Sequence, residues 1–223
     1  MLIVPSILTP SISDLWFQIK RLSPFYNYFQ IDIVDDAFGK NLTIKVDDFI
    51  NSISENKELI DKCTFDFHLM VESPENSIEK LSKIKEKIKL NRIFIQYKTM
   101  SNIDLLYDKY DIKIGLVLDP DDSVNEFARN YDIKTIRNII ILSVYPGAQG
   151  QDFQPQSLNK IEQLRLLGYR NNIYLDGAVN ENTIPIILSK KFRPDILTPG
   201  SFFSKAENIK EQVDKINLLI KNS

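Results

Sequence analysis

Short apolar runs alternate with amphipathic segments along the whole chain. Each apolar run spans five to nine residues and is rich in Ile, Val, Leu and Phe. Nearly continuous apolar runs of this length are typical of strands that are buried on both faces of a sheet. The pattern therefore predicts eight strands, at residues 2–8, 28–34, 63–71, 92–98, 113–118, 138–144, 172–176 and 195–199.

The segments between these strands carry apolar residues at spacings of three and four. This spacing places the apolar side chains on one face of a helix, where they can cover a sheet. Examples of such helices are predicted from Ile12, Leu15, Trp16, Ile19 and Leu22, from Ile78, Leu81, Ile84 and Ile88, and from Ile209, Val213, Ile216 and Ile220.

Strands that alternate with helices indicate a parallel sheet, because parallel neighbours need a crossover connection. Eight strand–helix units of about 28 residues each predict one α/β domain over residues 1–223, folded as a (β/α)8 TIM barrel. An open doubly wound sheet gives the same alternation. Against it, the first strand leads into PSILTPS rather than a glycine-rich dinucleotide fingerprint, and the chain has only seven glycines.

Composition and charge exclude several classes of protein. A net charge of −2 argues against a generally basic nucleic-acid binder or an electrostatic membrane binder, and the lysine-rich segment 77–92 is typical of a solvated helix face. One cysteine, Cys63, excludes an intramolecular disulfide and fits a reducing compartment. No apolar stretch reaches about 18 residues, and MLIVPSIL lacks a signal peptide's features. We expect a cytoplasmic protein with no nucleic-acid or membrane partner.

Polar residues interrupt several predicted strands near their carboxyl ends. In a barrel these ends form one mouth, where catalytic groups gather. Taken singly, His68 is more often structural and an aspartate more often caps a turn, while Cys63 is a small buried hydrophobe. The joint position of two aspartates and one histidine at the ends of different strands predicts an active site. The residues are Ser6, Gln30, Asp32, Asp66, His68, Met70, Gln96, Lys98 and Asp176.

Small-residue turns follow the sixth, seventh and eighth predicted strands, at residues 146–151, 176–178 and 199–201. Such turns let backbone N–H groups approach an anion, and the loops after the last two strands commonly bind phosphate in barrels of this kind. Each turn alone is also compatible with ordinary loop geometry. The three in order predict a phosphorylated ligand.

Together these motifs resemble the ribulose-phosphate 3-epimerase family. VPSIL resembles the family's PSIL, FQIDIVDDAFGKNLT its second-strand block, and FDFHLMVESPE its xDVHLMVxxPE. Further along, IGLVLDPDD resembles GLALNPxT and VYPGAQGQDF resembles VxPGFGGQxF. Finally, LDGAVN resembles VDGGIN and TPGSFF resembles xxGSAxF. The resemblance extends over essentially the full chain.

The resemblance implies an isomerase of carbohydrate metabolism, in the pentose phosphate pathway, that interconverts ribulose 5-phosphate and xylulose 5-phosphate. It implies that Asp32 and Asp176 exchange the C3 proton through an enediolate. It also implies a divalent metal (Zn, Mn, Fe or Mg) on Asp32, His68 and Asp176, no organic cofactor, and a homo-oligomer. The substrate-binding positions it implies are Ser6, His68, Met70, Gly147, Gly150, Gly177, Gly200 and Ser201.

The sequence departs from the family pattern at several of these positions. Gln30 stands where the family has its first metal-binding histidine, Gln96 replaces another histidine, and Lys98 replaces an acidic residue. Val34 replaces a methionine, and Ala178 replaces the second glycine of the strand-seven turn. An amide oxygen binds zinc less well than imidazole does, so harder ions such as Mn²⁺ or Mg²⁺ become alternatives. If Lys98 reaches the mouth, its ammonium could stabilise the oxyanion instead of a metal.

Three functions follow from these observations. The first is a 3-epimerase of ribulose phosphate or a related ketose phosphate. The second is a catalytically impaired phosphosugar-binding barrel that has lost the metal site, which the replaced histidines would explain. The third is a decarboxylase of the orotidine-phosphate type, but its Asp-x-Lys-x-x-Asp signature is missing at residues 32–35. Because both aspartates are present, we expect the epimerase.

Overall fold

A computed structural model describes residues 1–39, 43–99, 103–148 and 150–221, with the side chain of Asp104 left out. Its sheet is entirely parallel. The strands are β1 (Leu2–Ile3), β2 (Ser6–Ile7), β3 (Tyr28–Val34), β4 (Thr64–Met70), β5 (Lys89–Gln96), β6 (Ile114–Leu118), β7 (Asn138–Leu142), β8 (Asn172–Asp176) and β9 (Ile196–Thr198).

The sheet closes on itself through the first strand. β1 pairs with β9 and β2 pairs with β3, and only Val4 and Pro5 separate β1 from β2. The interruption has a local cause, because proline has no N–H to donate to a ladder, although the carbonyl of Pro5 still accepts from Gln30 N at 2.9 Å. The predicted barrel is therefore confirmed, and the open doubly wound sheet is excluded.

Strand boundaries differ from the prediction mainly at β5. This strand begins at Lys89 and ends at Gln96, so Lys98 lies in the following turn rather than in the strand. Its polar start, KLNR, carries none of the apolar signal used to predict strands. β7 also ends at Leu142, two residues early, where the loop that carries Tyr145 and Pro146 begins.

Helices cover the outside of the barrel. The predicted helix through 78–88 ends at Ser82 and continues as turns, yet Ile84 and Ile88 remain buried. The helices are α1 (Ile12–Leu22), α2 (Val46–Ser52), α3 (Lys57–Lys62), α4 (Glu75–Ser82), α5 (Ile103–Tyr110), α6 (Val124–Asn130), α7 (Leu158–Leu166), α8 (Ile184–Leu188), α9 (Ser201–Ser204) and α10 (Ile209–Lys221). Within the described ranges, no helix has the length and apolar character needed to cross a membrane.

Two apolar layers hold the architecture. The larger lies between the strands and the helices, where Trp16 of α1 stacks on Phe49 of α2 with ring centroids 5.5 Å apart. The smaller fills the barrel interior with Val4, Phe94, Val117, Ile140, Leu142, Tyr174 and Ile196. Side chains alternate across a strand, so the residues two positions beyond these interior residues also face the barrel axis, nearer its carboxyl end. That end carries the cleft described next.

Candidate active site

A cleft of about 480 Å³, part of it open to solvent, lies at the carboxyl ends of the strands. Apolar residues such as Leu8, Leu142 and Val144 form part of its wall. All ten residues that the sequence predicted as catalytic, substrate-binding or metal-binding line this cleft. They are Ser6, Asp32, His68, Met70, Gly147, Gly150, Asp176, Gly177, Gly200 and Ser201.

Three titratable side chains meet at the buried floor of the cleft. Nδ1 of His68 on β4 lies 3.5 Å from Oδ1 of Asp32 on β3 and 3.8 Å from Oδ2 of Asp176 on β8. Asp32 and His68 are register partners on adjacent strands, so their side chains emerge side by side on the same face of the sheet. Asp176 lies on β8, which is far from β3 in the order of strands, and closure of the barrel brings its side chain to Asp32 and His68.

Gln30 joins the two carboxylates. Its Nε2 donates to Oδ1 of Asp32 at 2.9 Å and to Oδ2 of Asp176 at 2.6 Å. Gln30 precedes Asp32 by two residues on β3 and is fully buried. This contact holds the two carboxylates at a fixed spacing. The sequence placed Gln30 in the mouth but did not predict that its amide would connect the two acids.

The electrostatic surroundings raise the pKa values of Asp176 and His68. Burial, together with the charge of Asp32, raises the pKa of Asp176, and the charge of His68 and the Gln30 hydrogen bond only partly oppose this. Burial by itself lowers the pKa of His68, but Asp32 and Asp176 outweigh it and the net shift is upward. Two carboxyl groups this close favour a state that carries one proton between them, so the pair is suited to supply one acid and one base.

The ligand atoms of Asp32, His68 and Asp176 all lie within 4.8 Å of one another, as a shared metal ion would require. Both ring nitrogens of His68 and Oε1 of Gln30 are buried without a hydrogen-bond partner among the described residues. Buried polar atoms normally have a partner, so their condition fits a site that holds a cation. A half-turn of the Gln30 amide would present its oxygen as a fourth, neutral ligand, in place of the hydrogen bonds from Nε2 to Asp32 and Asp176.

Glycines shape the turns at the cleft rim. Gly147 and Gly177 have φ values of +98° and +104°, in the left-handed region. A Cβ on Gly147 would lie 2.3 Å from the carbonyl oxygen of Phe38, and one on Gly177 would lie 2.9 Å from the backbone nitrogen of Val144. Both positions therefore require glycine. Gln149, in the same predicted turn as Gly147, lies outside the described residues.

Ala178 adopts φ +49° where the family pattern has glycine. Its carbonyl accepts from Asn180 Nδ2 at 2.9 Å and Thr183 Oγ1 at 2.7 Å. Ser143 Oγ holds the preceding residue by donating to the Gly177 carbonyl at 2.6 Å. These contacts keep the turn in the shape that glycine would otherwise favour, at a cost in backbone strain.

Lys98 does not occupy the position that its proposed role requires. Its Nζ lies 2.5 Å from Oδ1 of Asp122, and 58% of the side chain is exposed. Neither residue belongs to the set that lines the cleft. Because β5 ends at Gln96, Lys98 lies outside the barrel mouth, and the expectation that its ammonium replaces the metal is wrong.

Two further residues near the cleft were not predicted from the sequence. Nζ of Lys205, at the end of α9, lies 3.2 Å from the point that a Cβ on Gly150 would occupy, which places a cation at the cleft rim. Asp119, just beyond β6, interacts electrostatically with His68. The LDPDD segment contained the signal for Asp119, since the family pattern has Asn there, whereas no local pattern marks Lys205.

Comparison of the chain with known proteins agrees with the motifs. The sequence model of the Ribulose-phosphate 3 epimerase family matches residues 2–201. A protein of Chlamydia pneumoniae named ribulose-phosphate 3-epimerase is 28% identical, over 98% of this chain and 94% of that protein. One of the same name from Synechocystis is also 28% identical, over 96% and 91%.

Solved structures share the architecture at low identity. A 3-hexulose-6-phosphate synthase superposes with a TM-score of 0.66 at 10% identity, over 98% of this chain and 99% of that one. A tryptophan synthase α-subunit variant of Pyrococcus furiosus superposes with a TM-score of 0.68 at 12% identity, over 99% and 98%. These likenesses establish the barrel. The family match runs from β1 to the start of α9 and includes every turn of the cleft, so the chain belongs to the ribulose-phosphate 3-epimerase family.

Proposed function

We propose that this protein interconverts ribulose 5-phosphate and xylulose 5-phosphate by proton transfer at C3. One observation carries the proposal. Gln30 ties the carboxylates of Asp32 and Asp176 together at the floor of a cleft whose rim consists of glycine turns. Paired carboxylates can serve as base and acid, and membership of the family selects this reaction among those that such a pair can perform.

Each turnover needs one ionised and one protonated carboxyl group. The ionised group removes the C3 proton, the C–H electron pair becomes the C2–C3 double bond, and the ketone electron pair moves onto oxygen. The protonated group then delivers its proton to C3 from the opposite face, and the ketone forms again. The two groups end with their protonation states exchanged, so the same pair can run the reverse reaction.

The surroundings support a division of roles. Burial and the charge of Asp32 raise the pKa of Asp176, which favours one proton within the pair, so that one carboxyl acts as the acid while the other acts as the base. Gln30 keeps the two oxygens at a fixed spacing, which favours transfer to and from a single carbon. Met70, Leu142 and Val144 line the same cleft and exclude water from the enediolate.

A divalent cation on Asp32, His68 and Asp176 would place positive charge beside the enediolate oxygens. With an amide at position 30, the available donors suit Mn²⁺ or Mg²⁺ better than Zn²⁺, because zinc prefers a site rich in histidine. The other end of the substrate belongs at the rim, where the turns at Gly147, Gly177 and Gly200 expose backbone to a phosphate and Lys205 supplies a nearby positive charge.

Proton NMR of ribulose 5-phosphate in D₂O tests the proposal. The protein is first treated with chelator. Separate samples then react without metal, with Zn²⁺, with Mg²⁺ or with Mn²⁺, and Mn²⁺ is removed before the spectrum is recorded. Deuterium incorporation at C3 together with xylulose 5-phosphate is expected, and an Asp176→Asn variant serves as the inactive control. An Asp36→Asn variant, altered at an exposed residue of the loop after β3, should behave as wild type.

The alternative is a phosphosugar-binding protein without turnover, which Gln30 at the histidine position favours. Saturable binding of the sugar phosphate with no deuterium at C3 under any metal condition would establish that alternative and overturn the epimerase. Exchange in the chelated sample would instead show that the residues of the chain suffice without a metal.

A further inference from the structure

Unpartnered polar atoms continue from the floor of the cleft onto β5 and the end of β6. Within the described part of the chain, both amide atoms of Gln96, Oδ1 of Asp119 and both ring nitrogens of His68 are buried and lack a hydrogen-bond partner. Gln96 is 3% exposed and His68 is fully buried. Leaving buried polar atoms unpaired is unfavourable, so the unpaired atoms of Gln96 and Asp119 beside Nε2 of His68 indicate a shared partner.

The strand register brings these residues together. His68 is the register partner of Phe94, and Gln96 follows Phe94 by two residues on the same face of β5. Gln96 is in turn the partner of Val117, and Asp119 follows Val117 by two. Phe94 and Val117 both lie in the apolar cluster inside the barrel. Gln96 and Asp119 therefore face the barrel axis one layer above it, beside His68.

The loop that carries Asp119 is held in place by three contacts. The backbone N–H of Asp119 donates to Oδ2 of Asp122 at 2.7 Å. Lys98 pairs with the other oxygen of Asp122 at 2.5 Å, and Nζ of Lys160 donates to the Pro120 carbonyl at 2.6 Å. This arrangement gives Lys98 a structural task outside the cleft, and it fixes the Asp119 backbone next to the barrel mouth.

The two nitrogens of His68 have different surroundings. Nδ1 faces Asp32 and Asp176, so it is the nitrogen placed to bind a cation. That role requires Nδ1 to be unprotonated and the proton to sit on Nε2. Histidines that bind metals usually donate their other N–H to a carboxylate, a carbonyl or a water, which fixes both tautomer and ring orientation.

We infer that Asp119 is a positioning residue for His68. With Gln96 it binds one buried water that accepts the Nε2 proton of His68, and this contact keeps Nδ1 free for the cation. Polar groups separated by more than a hydrogen-bond length are commonly bridged in this way, and one water can engage the amide of Gln96, Oδ1 of Asp119 and the imidazole at once. The inference rests on the proposed function only in taking His68 as a metal ligand.

His68 is the only histidine in the sequence, so its ring can be observed without interference. We would label the protein with ¹⁵N-histidine, load it with Zn²⁺, and record ¹H–¹⁵N correlations of the ring. The expected wild-type spectrum has a protonated Nε2 with a downfield, slowly exchanging proton and an unprotonated Nδ1 that carries the metal shift. Zinc affinity is measured on the same samples by competition with a chelating dye.

Three variants and one control separate positioning from general damage. Asp119→Ala and Gln96→Met should each broaden or lose the Nε2 proton signal and weaken zinc binding by about 10-fold or more. Asp119→Asn, which keeps an acceptor oxygen, should retain most of both. Asp214→Ala, at an exposed position of α10 away from the cleft, should match wild type. If Asp119→Ala does not fold, Gln96→Met carries the test.

A proton on Nδ1 in the wild type would overturn the inference. So would an unchanged Nε2 signal and zinc affinity in both Asp119→Ala and Gln96→Met. Failure of the proposed function is a different result, namely the expected spectra with no deuterium exchange at C3 of ribulose 5-phosphate. Conversely, exchange at C3 with insensitive spectra would leave the epimerase standing and remove the role of Asp119.

Discussion

The amide nitrogen of Gln30 donates to Oδ2 of Asp176 at 2.6 Å, while the same nitrogen also donates to Asp32. One neutral side chain thus bridges acids contributed by β3 and β8, which are far apart in the order of strands. The family pattern has a metal-binding histidine at this position. The substitution exchanges a strong ligand for a group that can hold the two acids together by hydrogen bonds.

Replacing Gln30 by histidine should strengthen zinc binding. Imidazole is a preferred zinc ligand and an amide is not, so we expect Gln30→His to lower the dissociation constant for Zn²⁺ by at least about 10-fold. Competition with a chelating dye measures the change. Gln30→Met, which removes the amide and adds no nitrogen ligand, is the control, and equal affinity in all three proteins would contradict the interpretation of this site.

Removing either acid should abolish exchange at C3. Asp32→Asn and Asp176→Asn each leave a group that cannot take up or donate the proton, and we expect the rate to fall by about 10²-fold or more. Deuterium incorporation into ribulose 5-phosphate in D₂O gives the rate. Asp36→Asn should change it little, and a variant of Asp32 or Asp176 with more than a tenth of wild-type activity would remove that residue from the mechanism.

Lys205 should contribute to phosphate binding and leave the chemical step unchanged. Its ammonium lies beside Gly150 at the rim of the cleft, so Lys205→Ala should raise KM about two- to tenfold and leave kcat unchanged. The difference should shrink at high salt, since exposed charges are screened. Steady-state kinetics at low and high ionic strength measure both effects, with Lys210→Ala on α10 as the control. A fall in kcat at constant KM would assign Lys205 another role.

Ala178→Gly should stabilise the protein. The φ of +49° at Ala178 costs a residue with a Cβ roughly 1–2 kcal/mol, partly offset by the greater freedom of glycine in the unfolded chain. We expect a gain of about 1 kcal/mol, or a rise in Tm of about 2–4 °C for a chain of this size. Thermal unfolding measures it. Ala128→Gly inside α6 should instead lower Tm, because glycine is unfavourable in a helix.

Asp119 should make stability depend on pH. Burial, and next the charge of Asp122, raise its pKa to about 6, so the folded state binds this proton more tightly than the unfolded state, where aspartate titrates near 4. The resulting stabilisation is complete below about pH 4 and is lost as pH rises through about 6.

Urea unfolding in chelator at pH 4.5 and pH 7 tests that dependence. Wild type should lose stability between the two values relative to Asp119→Asn, by about 1–3 kcal/mol. Asp214→Asn, at an exposed position of α10, should follow the wild type. A difference between wild type and Asp119→Asn that stays constant with pH would show that the Asp119 carboxyl is not shifted in the folded protein.

The barrel and the residues that line the cleft could be predicted from the sequence. Apolar runs and amphipathic segments repeat eight times because every central strand must bury both faces and every helix only one. Alternation along β3 and β4 then placed Asp32 and His68 on one face, and the glycines of the late turns marked backbone that tolerates no side chain. These are local constraints, so they can be read along the chain.

The pairing of the polar groups, in contrast, depends on the folded barrel. The closure between β1 and β9 brings Asp176 to Gln30, the early end of β5 sends Lys98 to Asp122, and the end of α9 carries Lys205 to Gly150. Hydrogen bonds and ion pairs act over a few ångströms. Whether two residues distant in sequence come within that range depends on strand register, loop path and barrel closure, which no local pattern of residues records.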